Sequence, residues 1–158
     1  IPGLKQALKG HELEIDGFIS WNFESISVDE YVQKSILNRY RFTLAHEIAH
    51  RQLHEYYYAQ FKIESIDDWK RIVNEVPSWP VSVLEYQANM FAGSILVPRK
   101  VLKKAYLEAR VKAEKIVKGH GGYDGDLLWE LIVGFLSKVF QVSEASMRRC
   151  LERDGYKK

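Results

Sequence analysis

Polar and apolar residues along this chain change period once, near residue 29. From Ile15 to Val28 they alternate, in Ile15-Asp-Gly-Phe18-Ile19-Ser20-Trp21-Asn22-Phe23 and then in Ser25-Ile26-Ser27-Val28. Alternation rich in aromatic and β-branched residues predicts two strands, joined near Glu24-Ser25 as a hairpin. Beyond them the spacing is helical. A short helical turn is expected from about Asp29 to Ile36, then a long helix over roughly 39–58 with Asn38 as its cap. Ser65-Ile-Asp-Asp68 resembles a capping box with Asp in place of Glu, and predicts a helix to about Glu75. Pro77-Ser-Trp-Pro80 reads as a break, after which Ser82 caps a helix over roughly 82–97. Pro98 ends that helix and opens the next, about 99–118. The glycine-rich stretch 119–125 lacks the lysine and the strand-then-helix setting of a phosphate loop, so a linker is expected. Leu127 to Phe140 is apolar at helical spacing, and Ser143 opens a last helix that Gly155 closes. The fold class is therefore α+β, mostly helical: a small antiparallel sheet packed on the long helix, followed by a helix-turn-helix-like C-terminal segment.

The long helix carries the chemistry. Arg41-Phe-Thr-Leu-Ala-His46-Glu47-Ile-Ala-His50-Arg-Gln-Leu-His54 contains His-Glu-x-x-His. A four-residue spacing on a helix is about 40° of rotation and about 6 Å of rise, so both imidazoles leave one face. Two neutral imidazole nitrogens so placed can share a zinc ion. Glu47 sits on the flank of that face, where it can take a proton from an activated water. Phe42, Leu44, Ala45, Ile48, Ala49 and Leu53 give the segment the apolar density of a buried helix, where unpaired ionisable groups are costly. The reading is a zincin-type HEXXH helix. In hydrolases built this way the hairpin can bind an extended peptide through its free edge; a role only in covering the core is the equal alternative.

A catalytic zinc site has three protein ligands and an open position. His54 is nearest in sequence, but it lies about 80° around the helix from His46 and about 12 Å along it, too far to share the ion. It is expected to support the site or to pack. Glu85, in Glu85-Tyr-Gln-Ala-Asn89, is the better candidate on the later helix. Asn89, four residues on, could accept the Nδ1 proton of a ligand histidine and fix its tautomer. The bland alternatives are a solvated Glu85 and a structural Asn89.

Composition narrows the class. A chain of 158 residues with 46% hydrophobic and 28% charged residues suits one soluble domain, with room for a small appended subdomain. The net charge is only +2, too small for a global field toward nucleic acid or membrane. The single cysteine, Cys150, excludes an intramolecular disulfide and a cysteine-rich zinc site. Leu131–Leu136 is far too short to span a bilayer, and the N-terminal residues lack a signal-peptide pattern. A cytoplasmic protein with no membrane partner is expected.

Arg-Phe-Thr-Leu-Ala-His-Glu-Ile-Ala-His-x-x-Leu-His, followed by Glu-x-x-Ala-Asn-x-Phe-Ala-x-x-Ile-Leu-Val-Pro, resembles the ImmA/IrrE family of gluzincin-like metallopeptidases. The similarity covers about residues 15–153. It implies zinc ligands His46, His50 and Glu85, with Glu47 as general base. It also implies site-specific cleavage of a helix-turn-helix transcriptional repressor, relieving repression in a stress response or a mobile element. Two departures are Ile48-Ala49, where the family often has Leu-Gly, and Gln87, where it often has a second Glu. Neither touches an inferred ligand. On this reading residues 1–98 form the zinc metallopeptidase-like core and 99–158 a helical subdomain.

Two questions stay open at this level. An oxyanion donor could be His54, Tyr56, Tyr57, Tyr58, Arg41 or His120, with no basis for ranking them. In the C-terminal segment Ser143, Ser146, Arg148, Arg149 and Arg153 could face DNA, but Glu144, Glu152 and the low net charge favour packing or substrate docking. The alternative to an enzyme is a DNA- or protein-binding regulator with a degenerate metal site. The intact Glu47 counts against it, since a structural site needs no general base.

Overall fold

The computed structural model describes residues 16–20, 22–58, 78–119 and 124–157. Strand β1 (Gly17–Ile19) pairs antiparallel with β2 (Ile26–Val28), Phe18 opposite Ser27. The strands are shorter than the alternating stretch because polar side chains between them bond to each other and to the backbone. Ser20 Oγ donates to Asn22 Oδ1 at 2.7 Å, and the Glu24 N–H donates to the same oxygen at 3.3 Å. Short Ser and Asn side chains compete with a ladder in this way. The Ser20 N–H closes the turn on the Ser25 carbonyl at 2.8 Å. Phe23 adopts a left-handed φ of 57° there with its side chain buried, so apolar burial offsets the strained backbone. Asn22 and Phe23 thus belong to the turn and not to the first strand. Ile15 and Trp21 lie outside the described residues.

Helix α1 (Glu30–Ser35) starts on Asp29, whose carboxylate accepts the N–H groups of Tyr31 and Val32. Helix α2 (Leu37–Tyr58) follows after one residue. Its cap differs from the expected one: Asn38 lies inside the helix, and the Ile36 carbonyl accepts the Tyr40 N–H at 2.9 Å. The end of α1 supplies the acceptor that starts α2. Both strands pack on α2. A Cβ on Gly17 would lie 2.6 Å from Thr43 Cγ2 and 2.9 Å from the Ser27 carbonyl oxygen, so this approach of β1 to α2 needs a glycine.

We expect Gly17→Ala to destabilise the protein by about 1–3 kcal/mol, the usual cost of overpacking. Thermal unfolding would measure it. Adding Thr43→Ser should restore only part of the loss, because the Ser27 carbonyl remains in the way; full rescue would locate the whole conflict in the Thr43 methyl.

Helix α3 (Ser78–Leu96) begins earlier than expected. Ser82 is inside it, and Pro80 occupies its first turn, where a missing N–H costs nothing. The helix expected over 65–75 lies outside the described residues. By compactness the chain divides into Ile1–Ala92 and Gly93–Lys158.

In the second unit, helix α4 (Arg99–Gly119) opens on the Pro98 carbonyl, which accepts from Val101 and Leu102. Helix α5 (Gly125–Phe140) is capped by Asp124, and α6 (Glu144–Arg153) by Ser143, which accepts the Ser146 N–H. Gly155, at φ 76°, ends α6. Its N–H reaches the Glu152 carbonyl and that of Tyr156 the Leu151 carbonyl, the paired bonds of a Schellman turn. Leu102, Ala113 and Val117 of α4 meet Ile132, Val133 and Leu136 of α5 and Met147 and Leu151 of α6 in one continuous core. His120 and residues 121–123 of the expected linker lie outside the described residues; Gly119 ends α4 and Gly125 begins α5.

Candidate metal centre

Helix α2 brings His46 and His50 together as the four-residue spacing requires, with their Nε2 atoms 3.0 Å apart. Helix α3 contributes Glu85, whose Oε2 lies 3.1 Å from His46 Nε2 and whose Oε1 lies 3.3 Å from His50 Nε2. One ligand atom from each of the three lies within 4.8 Å of the others. Metal–ligand bonds of about 2.0–2.2 Å in tetrahedral geometry place neighbouring donors roughly 3.3–3.6 Å apart. Donors already 3.0–3.3 Å apart therefore fit a zinc-sized ion after a small outward shift. His50 is buried, whereas His46 and Glu85 are half-buried, which leaves the cluster open to solvent on the Glu85 side.

The charges of the cluster are shared. Burial alone would push the Glu85 carboxyl up, but hydrogen bonds from His46 and His50 hold it down at about 2. Burial alone would lower His46, yet the Glu85 hydrogen bond and charge, with Glu47 and an Asn89 hydrogen bond, raise it above its usual value. Asn89 therefore bonds a ligand-candidate histidine directly.

These shifts carry a pH signature for the metal-free protein. A carboxylate held below its ordinary 4.5 stabilises the fold fully above that value, and the contribution is lost as pH falls toward about 2. A histidine raised above its ordinary 6.5 stabilises fully below that value, and the contribution is lost as pH rises through the raised one. The Glu85–His46 pair thus contributes most between about pH 4.5 and 6.5. The expected result is a melting-temperature gap between wild type and Glu85→Gln, both metal-free, that is widest in this window and narrows toward pH 8. A gap that does not change with pH would mean that the pair is not charged in the folded state.

Glu47 is buried beside this cluster. Burial raises its carboxyl, while His50 and His46 pull it down, and it accepts a hydrogen bond from the Ile19 N–H. That donor follows from strand register. The Ser20–Ser25 and Asp16–Asp29 pairs are bonded across the hairpin, so Gly17 and Ile19 turn their amides outward, toward α2. The outer edge of β1 therefore spends its Ile19 amide on Glu47, and that amide is not free to pair with an extended peptide. Sequence reasoning missed this contact. The signal for it was Gly17, since a glycine inside an alternating strand marks a close backbone approach.

His54 is buried and does not join the three donors. Its Nδ1 lies 3.0 Å from His50 Nδ1 and its Nε2 lies 3.0 Å from Gln87 Oε1. Burial holds it below the usual histidine value and so keeps it neutral. With both ring nitrogens engaged, it has no donor left for an oxyanion. Of the other candidates, Tyr56 is largely exposed and Arg41 and Tyr57 are half-buried; the Tyr58 side chain and His120 are not described.

In the second unit most of the residues offered for DNA contact are already committed. Arg148 makes a two-pronged pair with Glu130 at 2.6 and 2.7 Å, and Arg153 bonds Asp154 and Ser94. Ser143 and Ser146 bond each other. Arg149 is exposed. Groups so paired are poorly placed to bind phosphate.

A helix carrying His-Glu-x-x-His, joined by a glutamate from a later helix, has the donor set of a two-histidine, one-glutamate metallopeptidase centre. The chain belongs to the family of the IrrE N-terminal-like domain, Peptidase_M78, whose profile matches residues 33–152, from α1 through most of α6. That membership places it among the metallopeptidases. No curated protein and no solved structure matches it. Among the described residues, no helix is long and apolar enough to cross a membrane.

Proposed function

We propose that this chain is a zinc endopeptidase that cleaves a helix-turn-helix transcriptional repressor in the cytoplasm. The observation that carries the zinc reading is the mutual spacing of His46, His50 and Glu85, which falls a few tenths of an ångström inside the edges of a tetrahedral site. A zinc ion held there would polarise the scissile carbonyl and lower the pKa of a bound water. Glu47 accepts the proton of the attacking water and returns it to the leaving amine. The Ile19 amide holds that carboxylate in place, and Asn89 and His54 orient His46 and His50. The cluster has three protein donors among the described residues, which supports a catalytic over a structural site, because a structural site closes its fourth position with another side chain.

The repressor is tested by mapping new protein N-termini in cells that express wild type or Glu47→Gln. The reading requires a cut in a helix-turn-helix protein that appears with wild type only. Cuts confined to unrelated proteins would set the repressor aside and leave the peptidase.

A further inference from the structure

We propose that the outer face of α4 docks an acidic amphipathic helix of a partner protein. The proposal does not depend on the metal site. Helix α4 carries eight lysines and arginines against two glutamates, a net charge of +6 in a chain whose total is +2. The modest total therefore hides a strongly basic segment. Leu102, Ala109 and Ala113 turn one side of α4 into the core. At about 100° per residue, Leu107 and Val111 fall on the opposite side. They are 58% and 53% exposed, so their hydrocarbon meets water in the folded chain. Lys100 and Lys104 precede this pair and Lys115 and Lys118 follow it, all exposed and all within about 60° of the pair around the helix. Glu114 on this side is held by Arg110 at 2.8 Å, and those two add no net charge.

An apolar centre inside a charged rim is the plan of a protein interface. The rim here has one sign, so the complementary surface is acidic. Nucleic acid fits less well, because phosphate contacts need cations and no apolar centre, and two branched side chains would lie against the phosphates. A membrane fits less well too, since a helix lying in the interface carries an apolar face along its length, and here it is two residues long. A second α4 would bring like charges together. Lys100 and Lys118 are separated by about 27 Å of helix rise, so the partner is a helical segment of about five turns. It would carry two apolar side chains three or four residues apart at its middle and carboxylates toward both ends.

The test is fluorescence anisotropy on the full chain with a labelled helical peptide of Ala and Glu that bears two leucines four residues apart at its centre. An isomer of the same composition carries the leucines on opposite faces. Wild type should bind the first peptide about 10-fold more tightly than the isomer, and binding should weaken with salt. Leu107→Ala with Val111→Ala should erase that preference, and Lys104→Glu with Lys115→Glu should abolish binding of both peptides. These positions face away from the core, so all the variants should keep the wild-type unfolding curve. Failure to bind the first peptide, or equal affinity for the two isomers, overturns the proposal. Duplex DNA or phosphatidylglycerol vesicles bound more tightly than the first peptide at the same salt would also overturn it, and would assign the face to nucleic acid or to a membrane surface.

Discussion

Glu47→Gln should retain metal and fold while losing turnover by about 10²–10⁴-fold, the usual contribution of a positioned general base. The substitution is nearly isosteric, and its carbonyl oxygen can still accept the Ile19 N–H that the carboxylate accepts now. It removes only the capacity to take and return a proton. Burial already raises the Glu47 carboxyl, which brings its proton affinity nearer to that of a base working at neutral pH. Turnover is read on the cleaved substrate, with zinc content and the unfolding curve measured on the same preparation. Undiminished turnover would remove Glu47 from the mechanism; turnover lost together with zinc would mean that it serves binding instead.

Glu85→Ala should abolish stable metal binding, with a loss beyond the roughly 100-fold that removal of a supporting group costs. The variant leaves His46 and His50 as a two-donor site with no negative charge between them. It also removes the group that raises His46, so protons and metal no longer meet a carboxylate there. Elemental analysis after dialysis, beside His46→Ala, checks it: one zinc per chain in wild type and none in either variant. Zinc retained by Glu85→Ala would mean a third ligand elsewhere, and His54 would then have to give up its bonds to His50 and Gln87.

The parts of this molecule that could be read from sequence are those governed by spacing within one element. His46 and His50 share a face because a helix turns by a fixed angle, and Ser143 and Gly155 bound α6 because a hydroxyl acceptor and a left-handed residue are local requirements. What escaped were choices made between elements. Pro80 reads as a stop in isolation, yet it is harmless in a first turn, and only the path of the chain says which applies. Asn38 is a good cap by type, but the Ile36 carbonyl had already taken that role. Gln87 follows Glu85 by two residues, a spacing that predicts opposite faces, and still both side chains reach α2 histidines. Its length, not its periodicity, brings it there. The Ile19 amide escaped because a backbone donor has no letter in a sequence.

The links between α2 and α3 have a consequence for the life of the protein in the cell. The contacts named between these helices are polar: His46 and His50 with Glu85, His54 with Gln87, and Asn89 with His46. Among the described residues of Ile1–Ala92, the buried hydrocarbon is Phe23, Val32 and four alanines, whereas Gly93–Lys158 encloses a continuous apolar core. These polar contacts tie α3 to α2 through the candidate metal ligands themselves. Free zinc at 100 times its dissociation constant would add about 2.7 kcal/mol to the folded state, and chelation would take it away. Scarcity of the ion would then do more than silence the enzyme. It would loosen α3 and offer the chain to the cell's own proteases, so that the supply of zinc would set how much of this protein survives as well as how much of it works.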